Sequence, residues 1–371
     1  RRTGEGDKEG AARAAVQAIY MGIVLALVVG VAGALFGPRL LVAMGAAPST
    51  VAIGGTFTRV MLGGSVTVTL LFLVNAVFRG TGDASVAMRT LILANTVNIV
   101  LGPLLIFGLG PFPKMGVTGA AVATTIGRGI GVLYQLATLM KGDGRLRVQR
   151  RHLQVDGKTM RTMLSISGSG MVQVFIGTLS WVVLVRILAG FGAAAVAGYT
   201  LAIRIVLFAL LPSWGMANAA TTLVGQNLGA GRPERAESAV WKASFYNLIF
   251  LGVVGTLFFT LAGPLVRLFT DDPVVVGYSG QGLRIISAGF LFYAYGMVVS
   301  QAFNGAGDTR TPTLINFVCF WLLELPLAYV LSHTLGVGPT GAFYAIAISF
   351  STMAVFSIVL FRRGKWKQVK V

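Results

Sequence analysis

Few side chains in this 371-residue chain are equipped for chemistry, and those few are scattered. It has two histidines, one cysteine and twelve carboxylic acids against 30 lysines and arginines. His152 falls in a polar stretch and His333 at the end of an apolar run. They form no metal pair and no acid–base pair, and each reads as a solvated or interfacial residue. Cys319 stands alone, which excludes intrachain disulfides and thiol redox pairs. In its apolar setting it reads as a buried small hydrophobe. A phosphate-binding loop needs G-x-x-x-x-G-K-[ST], and neither Gly157-Lys158 nor Gly364-Lys365 fits it. The sequence therefore implies no cofactor. Any driving energy must come from a proton or sodium gradient, or from the substrate itself.

The elements that must position these residues are set by composition. Apolar residues make up 55% of the chain and charged residues 11%, and the mean hydropathy is +0.79. A soluble surface needs about 25% charged residues, so the chain reads as an all-α polytopic membrane protein. Its 49 glycines suit helices that approach closely in lipid. Ten apolar spans are long enough to cross a bilayer: 14–36, 51–78, 84–108, 117–140, 160–189, 196–226, 236–262, 274–304, 311–335 and 340–361. With the N-terminus placed inside, 22 Lys and Arg fall in inside segments, 3 in outside connections and 5 within spans. This split follows the positive-inside rule and sets both ends of the chain on the cytoplasmic side of a plasma (inner) membrane. It also accounts for the net charge of +18, so no nucleic-acid partner is implied.

Against this frame Glu324 is distinctive. Eleven of the twelve acids lie in loops or at helix ends, and Glu324 alone is mid-span. An ionised acid at the bilayer centre costs about 2.5–3.5 kcal/mol on the lenient insertion scale. Two readings are open. In one, the carboxyl faces a cavity and trades a proton for a cationic molecule. In the other, it hydrogen-bonds a neighbouring helix and fixes packing. Pro326, two residues on, frees a backbone carbonyl and favours a kinked, cavity-lining helix. Of the span arginines, Arg59, Arg284, Arg186 and Arg204 lie toward outer ends and read as snorkelling anchors. Arg128 is central; it could pair with an acid or with substrate. Among polar span residues, Gln173, Asn95, Asn98, Asn316 and Gln301 are candidates for lining a substrate cavity, with Tyr293 and Trp181, Trp214 and Trp321 offering aromatic faces.

The chain also repeats itself. Phe78-Arg79-Gly80-Thr81-Gly82-Asp83 recurs as Phe303-Asn304-Gly305-Ala306-Gly307-Asp308 at an offset of 225, and Arg59 recurs as Arg284 at the same offset. Gly37-Pro38 recurs as Gly263-Pro264, and Gly119-Ala120 as Gly341-Ala342. A parallel duplication follows. In each twin turn, glycine is expected to end one helix in the left-handed region and aspartate to cap the next. The domain reading is residues 1–140 as four helices of an N-terminal lobe, 141–159 as a basic cytoplasmic linker, 160–361 as a six-helix C-terminal lobe and 362–371 as a basic tail. Two spans at 160–226 have no counterpart before Gly4, so about two further helices are expected upstream and an intact protein of twelve, six plus six. The four-helix lobe alone is expected to be open, and this chain by itself to run no transport cycle.

These residues carry a resemblance. Val224-Gly225-Gln226-Asn227-Leu228-Gly229-Ala230-Gly231, the twin turns, Pro103-Leu104-Leu105-Ile106-Phe107-Gly108 and Gly116-Val117-Thr118-Gly119-Ala120-Ala121 resemble the multidrug and toxic compound extrusion (MATE) family. The likeness runs from the end of the family's second helix to past its twelfth. It implies two six-helix lobes around a central cavity, and monomeric export of small molecules driven by protons or sodium. The chain departs from the family at its coupling acids. The family's seventh-helix glutamate position falls near Gly177, with Gln173 one turn earlier, and its tenth-helix aspartate position holds Tyr293. The first-helix aspartate lies outside this chain.

Three functions compete. The first is a secondary-active multidrug exporter of amphipathic, often cationic molecules working by alternating access, with membrane lipid as its other partner. The second is a lipid-linked saccharide flippase of the same superfamily, which needs a cavity rich in Arg and Lys. The third is an intramembrane enzyme, which needs clustered His, Asp or Ser. One central acid beside one central arginine favours the exporter and no enzyme.

Overall fold

The computed structural model describes residues 1–142 and 145–369, so Asp143 of the linker and Lys370 of the tail lie outside the described residues. All its regular elements are helices. The chain divides into two compact units. The first holds Arg2 and Gly6–Met163; the second holds Arg1, Thr3–Glu5 and the chain from Leu164 onward.

The first unit is built from α1 (Lys8–Ala43), α2 (Pro48–Gly63), α3 (Ser65–Gly80), α4 (Ala84–Phe107) and α5 (Val117–Lys141). Asp7 starts α1 by accepting a hydrogen bond from the Gly10 N–H at 2.7 Å. Small residues set the packing distance. A Cβ on Gly127 would meet the Ala94 carbonyl at 2.6 Å, and one on Gly119 the Leu105 carbonyl at 2.6 Å, so α4 and α5 touch backbone to backbone.

The second unit takes α6 (Gly157–Ala189) from Leu164 onward, then α7 (Ala193–Gly229), α8 (Pro233–Arg267), α9 (Pro273–Ala288), α10 (Phe290–Gly305), α11 (Arg310–Thr334) and α12 (Thr340–Arg362). Its core gathers Leu188, Tyr199, Leu251, Leu283, Phe343 and their neighbours, all at or near zero exposure. Outside, Val174, Phe208, Phe259 and Leu322 are more than half exposed. Water does not tolerate so continuous an apolar exterior, whereas a bilayer matches it.

Seven helices are long and apolar enough to cross a membrane, and two bent pairs, α2 with α3 and α9 with α10, bring this to nine among the described residues. The tenth expected span, 117–140, is the helix α5, but its glycines, Arg128 and Gln135 dilute its apolar character below that of the others. The bends measure 43° at Gly64 and 61° at Gly289, and these glycines are 225 residues apart, at the repeat offset. The duplication thus extends to a break in the middle of the repeated span.

The twin turns match expectation in part. Gly82 and Gly307 adopt φ of 81° and 84°. Asp308 accepts from the Thr311 N–H at 3.1 Å, as a cap should. Asp83 does not cap α4: it accepts from the Ser85 hydroxyl instead. One local expectation is corrected. His152 is 2% exposed rather than solvated. The linker turns back on α1, where His152 Nε2 lies 2.6 Å from Glu9 and Tyr20 donates to the Leu153 carbonyl. Gln17 donates to the Gln154 carbonyl and accepts from the Asp156 N–H. The basic tail is likewise docked, with Trp366 fully buried and stacked on Phe361 at 4.6 Å, and Lys367 paired with Glu237 at 2.6 Å.

Candidate functional site

Glu324 is placed by an irregular turn. Over Phe317–Glu324, α11 widens into π-helical winding, and the Leu325 N–H donates to the Phe320 carbonyl five residues back. Pro326 then enters at the start of the next α-helical turn, where a missing N–H is no loss. The wide turn accommodates the proline through a change of register. That register turns Cys319, Phe320 and Glu324 inward together.

Inside the second unit these residues meet a cavity of about 300 Å³. Helix α6 contributes Gly177, Thr178, Ser180 and Trp181; α7 contributes Tyr199, Ile203 and Trp214. From α9 and α10 come Ile286, Gly289, Phe290 and Tyr293; α11 adds Phe320 and Glu324, and α12 Ala347 and Phe350. Seven aromatic rings therefore surround one carboxyl, and among the described residues no lysine or arginine lines the space. Glu324 is 4% exposed. Its Oε2 has no hydrogen-bond partner among the described residues. The Ser349 hydroxyl donates to the Cys319 carbonyl at 2.6 Å and lies within reach of the Glu324 carboxyl. A carboxyl so held needs either a proton or a cation, and the aromatic faces offer further cation–π attraction.

The other sequence candidates are dispersed. Tyr293 lines the cavity, and so does Gly177. Gln173, one turn before Gly177, is half-buried and outside the lining, as is Asn316. Gln301 accepts from the Asn304 side chain at 3.0 Å, while its carbonyl accepts from Thr221. Trp321 donates to the Ile176 carbonyl, a helix-to-helix bond rather than a cavity face. In the first unit Asn95 is exposed, Asn98 donates to the Thr124 hydroxyl at 3.1 Å, and Arg128 is half-buried on α5. Arg284 is exposed but is more than an anchor, because its Nε donates to the Phe259 carbonyl at 3.3 Å. Sequence reasoning missed Tyr199, Phe290, Phe320 and Phe350. Their periodicity is that of core residues, and only the three-dimensional closure of six helices makes them one site.

The comparisons with known proteins agree with this architecture. A family model described as MatE matches residues 1–104 and 170–330. A probable multidrug resistance protein NorM of Thermotoga maritima is 28% identical over 312 residues, covering 84% of this chain and 67% of that protein. A probable multidrug resistance protein YoeA of Bacillus subtilis is 24% identical over 356 residues, covering 95% of this chain and 75% of that protein. Among solved structures, an outward-facing multidrug resistance MATE family transporter of the MOP superfamily superposes with a TM-score of 0.92 at 25% identity, covering 100% of this chain and 82% of that one. A polytopic, all-helical transporter is the class these findings define. The chain belongs to the MATE family.

Proposed function

We propose that this chain is the cation-binding and coupling part of a secondary-active exporter of amphipathic organic cations. The carrying observation is the unpartnered Glu324 carboxyl oxygen inside the aromatic cavity. When the carboxyl is protonated the site is neutral and can stay buried without a counter-ion. When an organic cation enters, its charge replaces the proton, and its apolar body lies against Trp181, Trp214 and Tyr293. One proton leaves for each cation bound, so the two compete for one carboxyl. Exposing that site alternately to the two sides of the membrane then makes proton entry drive cation exit.

A lipid-linked saccharide flippase would need lysine or arginine to hold a pyrophosphate, and none lines the cavity. The test is equilibrium binding of tetraphenylphosphonium to purified protein. Glu324→Gln should lose most of the affinity while folding and insertion persist. Equal affinity in both proteins would make Glu324 a packing residue.

A further inference from the structure

Gly289 and Ala347 each line two cavities. On one side is the aromatic cavity that holds Glu324. On the other is a groove of about 660 Å³ along α8, α9, α10 and α12. Phe259, Phe292, Ile348 and Val355 line this groove, and each is between 45% and 55% exposed, so it opens onto the lipid-facing surface. The partition between the two spaces is thin. A Cβ built on Gly289 would lie 3.6 Å from the Ala347 carbonyl oxygen and 3.7 Å from its Cα. It also stands where the span breaks, at the 61° bend between α9 and α10. A backbone without a side chain, set at a break, faces a residue with one methyl group.

We propose that this partition is a lateral gate, through which an organic cation dissolved in the bilayer passes from the groove into the Glu324 cavity. The inference rests on the cavity being the cation site. The groove offers apolar and aromatic surface at membrane depth, where the body of a lipophilic cation already partitions. Charge supplies the direction. Arg284 lines the groove and is tied to the Phe259 carbonyl at 3.3 Å, whereas Glu324 lines the cavity. Arg284 makes the groove a poor resting place for a cation, and the cavity becomes the favoured end as Glu324 releases its proton. Opening requires only that α10 and α12 separate at two of the smallest residues in the unit.

A reversible plug tests the gate. In the full chain with Cys319→Ala, Ser351→Cys places one thiol in the groove, one turn beyond Ala347. Benzyl methanethiosulfonate would fill the groove, and a phosphine reductant would empty it. The readout is the association rate of tetraphenylphosphonium in lipid nanodiscs, followed by quenching of tryptophan fluorescence. The plugged protein should associate at least about tenfold more slowly with unchanged equilibrium affinity, since a blocked route slows entry and exit alike. Reduction should restore the rate, and the same label on Thr256→Cys, on an exposed face of α8, should change nothing. An unchanged rate in the plugged protein would overturn the lateral gate. So would equal slowing of tetramethylammonium, which does not enter bilayers, because the label would then be distorting the cavity. Glu324→Gln separates the two proposals. Lost binding in that variant with an unaffected plugged protein defeats the gate alone, and retained binding defeats the cation site itself.

Discussion

Tyr293 stands edge-on to Phe350, with ring centroids 4.9 Å apart and planes at 90°. Phe350 in turn tilts against Phe320 at 5.2 Å. Rings from α10, α12 and α11 therefore brace one another beside Glu324, and the brace holds an aromatic wall in place before any ligand arrives. A cation–π contact in a desolvated site contributes about 1–2 kcal/mol. Tyr293→Ala is expected to weaken tetraphenylphosphonium binding by roughly 5- to 30-fold on that scale, and Tyr293→Phe to leave it near wild type. Equal affinity for all three proteins would remove this wall from the site.

Gly305 ends α10 against the backbone of α7. A Cβ there would fall 2.4 Å from the Thr221 carbonyl oxygen and 2.9 Å from its Cα, and neither is the far end of a flexible side chain. Gly305→Ala should therefore force the two helices apart, at about 1–3 kcal/mol of stability. Thermal unfolding in detergent reads this as a lowered midpoint. A midpoint equal to wild type would mean that α7 and α10 shift freely.

The tail should matter for stability as well. Trp366 is fully buried, stacks on Phe361 with planes 7° apart and donates to the Phe361 carbonyl at 2.9 Å. Trp366→Ala is expected to cost about 3–5 kcal/mol, the range for removing a buried large aromatic. Proteolysis of the tail should accelerate in parallel. A tail that stays protected in the variant would show that Lys367 and Glu237 suffice to hold it.

Acid should loosen the linker. Glu9 precedes the apolar part of α1, and its carboxyl is held below the ordinary value, first by the hydrogen bond from His152 and then by the charge of Arg151. Asp156 is held low mainly by the Thr159 hydroxyl and N–H. Both are depressed acids, so the stability they lend is present above their unfolded pKa and fades as pH falls through the lower, folded one. Amide protection over 149–156, taken relative to the intrinsic exchange rate at each pH, should fall as the pH drops through and below the ordinary carboxylate range. Glu9→Gln should show faster exchange already at neutral pH. Identical pH profiles in the two proteins would detach Glu9 from the latch.

Much of this fold is legible in the sequence because lipid imposes one rule on every span. Apolar length places the helices, and the repeat of Gly82 and Gly307 places matching turns. The mid-span position of Glu324 singles it out without any structure. The rest is hidden for physical reasons. Gly64 and Gly289 break their spans, yet glycine is common throughout and nothing local separates a break from a close contact. His152 reads as solvated because its neighbours are basic, while its burial depends on Glu9, far away in sequence. Tyr199, Phe290 and Phe350 look like ordinary core, and their role as walls emerges only where six helices close around one carboxyl. Gln301, Asn98 and Trp321 look polar enough for a cavity, yet each is engaged in a hydrogen bond within or between helices.

The central claim is that Glu324 exchanges one proton for one organic cation. Its most direct test is the proton count on binding, measured with a pH indicator in weakly buffered detergent as tetraphenylphosphonium is added to saturation. The account predicts close to one proton released per cation bound over the pH range where the free site is protonated, and no release from Glu324→Gln. Full cation binding with no proton release at any pH, or with release only when sodium is also displaced, would contradict it.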